Sequence, residues 1–214
     1  MLAILGKTAS GKTTLVNELV NNFGFKQIVT YTTRPIREGE IPDITYHYIS
    51  AEEFEKKKLE GFFAEATSYC PAQGGIWSYG TALKDIEEAD DNTVVIINPK
   101  GLRSLSEKGY SKNITSLYLM ARDDVLIDRL KDRGDSPAEA NRRLEADKAD
   151  FHLLEKEVDL CFRNEPYWTI PEIAKVIANF LYVRNAFRGG AVDCKGMRDG
   201  KPLRPTELLE ITYL

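Results

Sequence analysis

Residues 2–14 read LAILGKTASGKTT, a short apolar run joined to a glycine-containing loop that ends in Gly-Lys-Thr-Thr. Gly6 and Gly11 have the spacing of the pattern G-x-x-x-x-G-K-[ST]. The apolar run predicts a strand before the loop, and apolar residues at helical spacing over 15–20 predict a helix after it. This order is typical of a loop whose backbone N–H groups surround a phosphate at a helix N-terminus.

The loop therefore predicts a nucleoside triphosphate site, with ATP as the usual ligand. Lys12 is expected to bridge the β- and γ-phosphates as a catalytic cation, and the Thr13 hydroxyl to ligate Mg²⁺. The alternative, a glycine-rich turn formed by chance, is disfavoured by the strand and helix that flank it. The loop residues expected to contact ATP are Gly6, Ala9, Ser10, Gly11, Lys12, Thr13 and Thr14.

Strand and helix patterns alternate along the rest of the chain. The continuous apolar runs at 93–98 and 116–121 are typical of strands buried on both faces of a parallel sheet. A charged helix is predicted from Ser136 to about Glu157, and an amphipathic helix over 171–183. The alternation predicts an α/β fold, with a mostly parallel central sheet between two helical layers.

Composition excludes several classes of protein. The chain has 214 residues, 43% of them hydrophobic, and a net charge of −4, which argues against a surface that coats nucleic acid. Cys70, Cys161 and Cys194 are scattered and odd in number, as expected of reduced thiols. No apolar run reaches the length of a membrane span, and no signal-peptide pattern is present. We expect a cytoplasmic protein without a nucleic-acid or membrane partner.

A second polar segment, TYTTRPIREGEIPDITYHYIS at 30–50, predicts a binding site for another phosphate. Arg34 and Arg37 are three residues apart and can hold one phosphate by forked, charge-assisted hydrogen bonds, to which tyrosine hydroxyls can add donors. A solvated loop in which these arginines pair with Glu38 and Glu40 fits the composition equally well. Both interpretations stay open at this point.

The same segment, TTRPIREGE followed by YHYIS, resembles the signature of the guanylate kinase family. The resemblance continues at FFAEA, SYGT, RLKDRG and NRRL, and it covers about residues 2–180. It implies a P-loop NTPase-type three-layer α/β/α domain with a small inserted acceptor-binding subdomain and a helical lid. The implied divisions are a guanylate kinase-like domain at 1–183 (core at about 1–29, 82–128 and 149–183, acceptor subdomain at about 30–81, lid at about 129–148) and an extension of unknown role at 184–214.

The resemblance also implies roles for individual residues. Arg34 and three lid arginines would act on the transferring phosphoryl group, while other side chains would bind the acceptor or lie near the donor adenine. The implied sets are Arg34, Arg37, Tyr46 and Tyr79 for the acceptor phosphate, Thr30, Glu65 and Thr81 for guanine, Arg129, Arg133 and Arg143 for the lid, and Asn164 near the adenine.

Some of these roles have alternatives. Arg142 competes with Arg143, because the segment between Gly134 and Leu144 is one residue shorter than is usual in the family. The lid arginines are interspersed with acidic residues, so they also fit a solvated helix face. Without the resemblance, Glu65 reads as an outward-facing strand residue.

Two stretches depart from the family pattern. Ile96 and Asn98 stand where the family carries two aspartates, so the base contact and any carboxylate near Mg²⁺ are affected. Asn98 keeps an amide that can hydrogen-bond an acceptor base. The stretch SYCPAQGGIW at 68–77 is about five residues longer than usual and is expected to alter the acceptor pocket.

The function implied by the resemblance is transfer of the ATP γ-phosphoryl group to GMP or dGMP, with Mg²⁺, by a monomer or homodimer. A ribose 1,5-bisphosphate phosphokinase is one alternative, because such enzymes share the fold and tend to carry an asparagine at the place of Asn98. A kinase for another nucleoside monophosphate is a second. A guanylate-kinase-like interaction module that binds peptides without catalysis is a third.

Overall fold

The predicted strand at 2–5 lies at the centre of a five-stranded parallel sheet. The computed structural model describes residues 1–37, 39–70, 74–164, 168–188, 197–198 and 201–202. Its strands are β1 (Leu2–Leu5), β2 (Lys26–Gln27), β3 (Tyr31–Thr32), β4 (His47–Tyr48), β5 (Phe63–Tyr69), β6 (Trp77–Ala82), β7 (Thr93–Ile96), β8 (Thr115–Met120), β9 (Leu160–Arg163), β10 (Met197–Arg198) and β11 (Lys201–Pro202). Its α-helices are α1 (Lys12–Phe23), α2 (Ala51–Leu59), α3 (Leu83–Glu87), α4 (Pro99–Glu107), α5 (Asp123–Asp132), α6 (Pro137–Asp150) and α7 (Ile170–Arg188).

The central sheet has the order β2-β7-β1-β8-β9, with every pairing parallel. Side chains of β1 alternate between its faces, as the period of a strand requires. Leu2 and Ile4 pack with α1 and α7, whereas Ala3 and Leu5 pack with Leu102 of α4. The sheet therefore lies between two layers of helices, which confirms the predicted three-layer α/β/α class.

A smaller sheet is inserted between α1 and β7 in the chain. Its order is β4-β3-β6-β5, with β5 and β6 forming an antiparallel hairpin. Helix α2 begins at Ala51, where the N-cap Ser50 accepts a hydrogen bond from the Glu53 backbone N–H. In the long stretch at 68–77, Tyr69 lies opposite Trp77 and thus extends the hairpin, while residues 71–73 lie outside the described part.

Two helices differ from their predicted lengths. Helix α6 ends at Asp150 rather than near Glu157, because Leu153 adopts a left-handed backbone conformation (φ 57°) and a short 3₁₀ turn follows. Helix α7 extends to Arg188, so the predicted boundary at residue 183 falls within it. Of the extension at 184–214, only 184–188, 197–198 and 201–202 are described.

Cys70 and Cys161 are exposed free thiols, and Cys194 lies outside the described residues. None of the helices in the described part of the chain combines the length and apolar character that a membrane crossing requires.

Candidate functional site

The loop between β1 and α1 has the backbone of a phosphate site. Ala9 (φ 59°) and Gly11 (φ 99°) both adopt left-handed conformations, which turn the chain sharply before the helix. The Lys12 ammonium donates to the carbonyl oxygens of Gly6 (2.7 Å) and Lys7 (2.9 Å). Burial lowers the pKa of Lys12 to about 8, so this cation gains from an anion placed beside it.

Other loop side chains differ in their access to a ligand. Thr13 and Thr14 are exposed at the start of α1. Ser10 is fully buried, with its hydroxyl packed under Gly6 and its backbone N–H bonded to the Lys7 carbonyl at 3.2 Å. Asn164 is buried behind the loop and donates to the Ser10 carbonyl at 2.9 Å.

Two cavities adjoin the loop. One, of about 430 Å³, lies on the side of Asn164. The other, of about 350 Å³, lies between the loop, the inserted sheet and the lid. The first is lined by Ala9, Gly11, Thr14, Arg129, Asp132, Arg133, Asn164, Thr169 and Ile170. The second brings together the predicted acceptor residues Thr30, Arg34, Arg37, Tyr46, Glu65, Tyr79 and Asn98 with Gly6, Ala9, Lys12, Thr13, Arg133, Arg142, Arg143 and Asp147.

Arg34 is held in the acceptor side of the central cavity by Glu40. The two side chains form a double hydrogen bond, at 2.9 Å from Nη1 to Oε2 and 2.8 Å from Nη2 to Oε1. Glu40 also accepts from the Tyr48 hydroxyl and the Arg37 backbone N–H. Although burial opposes its charge, these donors lower the pKa of Glu40 to about 2. Arg34 thus pairs with Glu40, as the alternative interpretation expected, but it is buried and not solvated; Glu38 lies outside the described residues.

Arg37 and the nearby tyrosines complete this side of the cavity. The Arg37 guanidinium has no ion-pair partner among the described residues, and desolvation followed by the positive charges of Arg34 and Arg143 lowers its pKa. The Arg34 guanidinium lies 5.3 Å from the ring centre of Tyr46, and Tyr46 and Tyr79 meet edge to face. The positive charge of Arg37, beside the Arg34–Glu40 pair, suits a phosphate dianion.

Glu65 is buried at 3% exposure, contrary to its interpretation as an outward-facing strand residue. A β-bulge between Phe63 and Glu65 interrupts the regular alternation of side chains along the strand at this position. Its Oε1 accepts from the Thr81 hydroxyl at 2.7 Å, and its Oε2 has no partner among the described residues. Burial raises the pKa of Glu65 to about 7. Thr30, also buried, lines the same cavity.

Asn98 has a structural role that the sequence did not indicate. Its Oδ1 caps α4 by accepting from the Gly101 N–H at 2.8 Å, and its Nδ2 donates to the Thr67 hydroxyl at 2.6 Å. The cap identifies which amide atom of Asn98 is the oxygen, and the second N–H of Nδ2 remains available to a ligand. Ile96 lines the cavity with an apolar side chain, so the end of β7 supplies no carboxylate.

The lid arginines occupy different positions around the loop. Arg133 lines both cavities and has no ion-pair partner within the described ranges. Arg143 pairs with Asp135 and Glu139, and Arg142 also pairs with Glu139. Arg142 and Arg143 both line the central cavity, and the positive charge of Arg143 contributes to the lowered pKa of Arg37. Arg129 donates to the Ala9 carbonyl at 3.2 Å and lines only the cavity beside Asn164.

Sequence reasoning missed Asp147, whose carboxylate accepts a 2.6 Å hydrogen bond from the backbone N–H of Thr8 in the loop. A signal was present, since Asp147 follows Arg143 by four residues and so shares its face of α6.

Comparison with known proteins gives consistent matches. The family model for guanylate kinase matches residues 1–179. The guanylate kinase of Neisseria gonorrhoeae is 31% identical over 192 residues, covering 86% of each chain. That of Geobacter metallireducens is 32% identical over 148 residues, covering 67% of this chain and 70% of its own. The crystal structure of guanylate kinase from Anaplasma phagocytophilum matches with a TM-score of 0.60 at 23% identity, covering 93% of this chain and 96% of that chain, and supports the fold.

Proposed function

The chain belongs to the guanylate kinase family, and we propose that it transfers the γ-phosphoryl group of ATP to GMP or dGMP. The observation that carries this proposal is the central cavity. It has the phosphate loop at one side, Arg34 and Arg37 at the other, and the buried carboxylate of Glu65 beside them. A nucleoside monophosphate presents the matching groups, a dianionic phosphate and a base.

Guanine suits the carboxylate of Glu65. Its N1–H and exocyclic amine form an adjacent pair of donors, whereas adenine has no such pair and would leave a buried carboxylate oxygen unsatisfied. Oε2 of Glu65 already lacks a partner, so a base that donates to it removes a desolvation cost.

The proposed reaction needs no covalent enzyme intermediate. An acceptor phosphate oxygen attacks the γ-phosphorus in line, and the phosphate is already an anionic nucleophile, so no general base is required. Lys12, Arg133 and Arg143 would surround the equatorial oxygens, while closure of α6 excludes water that would otherwise hydrolyse ATP.

Mg²⁺ fits this site only together with the nucleotide. Thr13 offers a hydroxyl ligand, and Mg²⁺ is commonly bound by few protein groups plus substrate phosphates. Within the described ranges no group of three or more His, Cys, Asp or Glu side chains could hold a metal ion. When bound, Mg²⁺ would neutralise charge on the β- and γ-phosphates.

A coupled assay of ADP release tests the proposal across GMP, dGMP, AMP, dCMP, dTMP and ribose 1,5-bisphosphate. We expect the highest kcat/KM with GMP or dGMP. A preference for ribose 1,5-bisphosphate, or for another base, would replace the proposed acceptor. No measurable affinity for Mg·ATP, combined with phosphopeptide binding in the same cleft, would instead indicate an interaction module.

A further inference from the structure

The carboxylate of Asp147 occupies one of the backbone donors of the phosphate loop. Asp147 lies near the end of α6, and its Oδ2 is 2.6 Å from the backbone nitrogen of Thr8. Thr8 belongs to the loop at 6–13, whose N–H groups are the donors that a nucleotide phosphate requires. A carboxylate oxygen on such a donor is chemically equivalent to a phosphate oxygen, because both are anionic acceptors.

Burial raises the pKa of Asp147, and the N–H of Thr8 together with the positive charges of Lys12 and Lys7 opposes that rise. Asp147 in turn raises the pKa of Lys12 against the effect of burial. Yet Lys12 donates to loop carbonyls, and Lys7 pairs with Asp123 at 2.8 Å. The backbone N–H of Thr8 and the positive charges of Lys12 and Lys7 therefore hold the carboxylate of Asp147 in the way that they would hold a phosphate.

The other acidic side chains of the central cavity have different partners. Glu40 binds Arg34, Glu65 accepts from Thr81, and Asp150 lies 3.3 Å from the ammonium of Lys100. Asp147 has no side-chain hydrogen-bond partner in the part of the chain that the structure describes. Among the described residues, the hydrogen bond from the loop thus accounts for the orientation of the Asp147 side chain, and no ion pair does.

We propose that Asp147 is a lid carboxylate that competes with the phosphates of ATP for the Thr8 N–H. In the nucleotide-free protein it holds α6 against the loop, and a phosphate must displace it before the site is filled. The inference rests on the proposed function for the identity of the nucleotide. Removing the negative charge should therefore tighten nucleotide binding, the opposite of what loss of a ligand-binding residue does.

The experiment compares Asp147→Asn and Asp147→Ala with the wild-type protein. Binding of AMP-PNP, a non-hydrolysable ATP analogue, is measured by isothermal titration calorimetry with Mg²⁺ and again in EDTA. We expect Kd to fall by about 5- to 20-fold in both variants and both conditions, in line with loss of one charge-assisted hydrogen bond. Glu145→Gln is the matched control, because it removes one negative charge of α6 from an exposed side chain that pairs with Lys148 and lines neither cavity, and it should leave Kd within about twofold.

Each outcome is decisive. An unchanged Kd in Asp147→Asn and Asp147→Ala would overturn the proposal, as would equal tightening in Glu145→Gln, which would point to net charge alone. Weaker binding that appears only with Mg²⁺ would overturn it in favour of a metal-positioning role. Thermal denaturation verifies that the variants fold. Because no acceptor is present, the result does not depend on GMP turnover: tight AMP-PNP binding without GMP kinase activity would refute the proposed function and leave this inference standing.

Discussion

The phosphate loop and the acceptor side of the central cavity differ in which atoms face the ligand. The loop at 6–13 presents mainly backbone groups, positioned by left-handed turns at Ala9 and Gly11. The acceptor side presents side chains from β3 to β6 and the loop after β3, held by ion pairs and hydrogen bonds such as Arg34–Glu40 and Glu65–Thr81. A site built from backbone donors can form with many different side chains in the loop, whereas a site built from side chains depends on the identity of each residue.

The largest expected effect is at the one loop side chain that the mechanism requires. Lys12→Ala should lower kcat by about 10³-fold, because it removes a preorganised cation from the transferring group. Among the residues that the structure describes, its ammonium bonds only to loop carbonyls, so the fold should persist. Lys7→Ala is the control, since Lys7 lies in the same loop but its ammonium pairs with Asp123 at the start of α5. Nearly full turnover in Lys12→Ala, measured by ADP release, would refute the mechanism.

On the acceptor side, Glu65→Gln should raise the KM for GMP by about 10- to 100-fold, because a hydrogen-bonded charge becomes a neutral amide. The KM for ATP should change little. If the ratio of kcat/KM values for GMP and AMP stays the same, Glu65 does not read the base.

The pH dependence gives a separate test of Glu65. Its pKa of about 7 means that the carboxyl group gains a proton as pH falls through neutrality, and the protonated form can no longer accept both guanine donors. We expect the KM for GMP to rise by up to about tenfold per pH unit below pH 7. Glu65→Gln should lose this dependence. A wild-type KM that is constant from pH 6 to 8 would contradict the assignment.

Glu40→Gln tests whether the ion pair between Arg34 and Glu40 also stabilises the inserted acceptor-binding subdomain. We expect the free energy of unfolding to fall by about 2 kcal/mol, because Glu40 accepts charge-assisted hydrogen bonds from Arg34. The folded-state pKa of Glu40 is lowered to about 2. Its contribution is therefore fully present above the unfolded value of 4.5 and is lost as pH falls toward 2. Urea denaturation at pH 7 and pH 3 measures both effects; an equal difference between wild type and variant at the two values would exclude the ionic explanation.

The smallest expected effect lies away from the cavity. Ser50→Ala removes the side-chain cap of α2 and should cost about 1 kcal/mol of stability. Turnover with GMP should remain within twofold of wild type, because Ser50 does not line either cavity beside the loop. A large loss of activity would show that α2 positions the acceptor residues more tightly than its packing indicates.

The regions that could be predicted are those governed by local rules. The loop motif and the buried apolar runs of β7 and β8 each depend on neighbours in the sequence, and all appear in the structure. The predicted end of α6 was wrong, because the chain adopts a left-handed conformation at Leu153, where no glycine marks such a turn in the sequence. The inward position of Glu65 could be predicted only from the family resemblance, because the alternation of side chains along a short strand does not reveal a bulge.

Sequence alone predicted a phosphate loop and an α/β fold, since glycine spacing and hydrophobic period act over a few residues, whereas the acceptor residues were predicted from the family resemblance. Tertiary structure decided which polar groups meet. It brought Asn98 to Thr67 of the inserted sheet across 31 positions of chain, and Asp147 to Thr8 across 139 positions. Such contacts depend on how the lid and the inserted sheet fold back over the loop, and no local pattern encodes that distance.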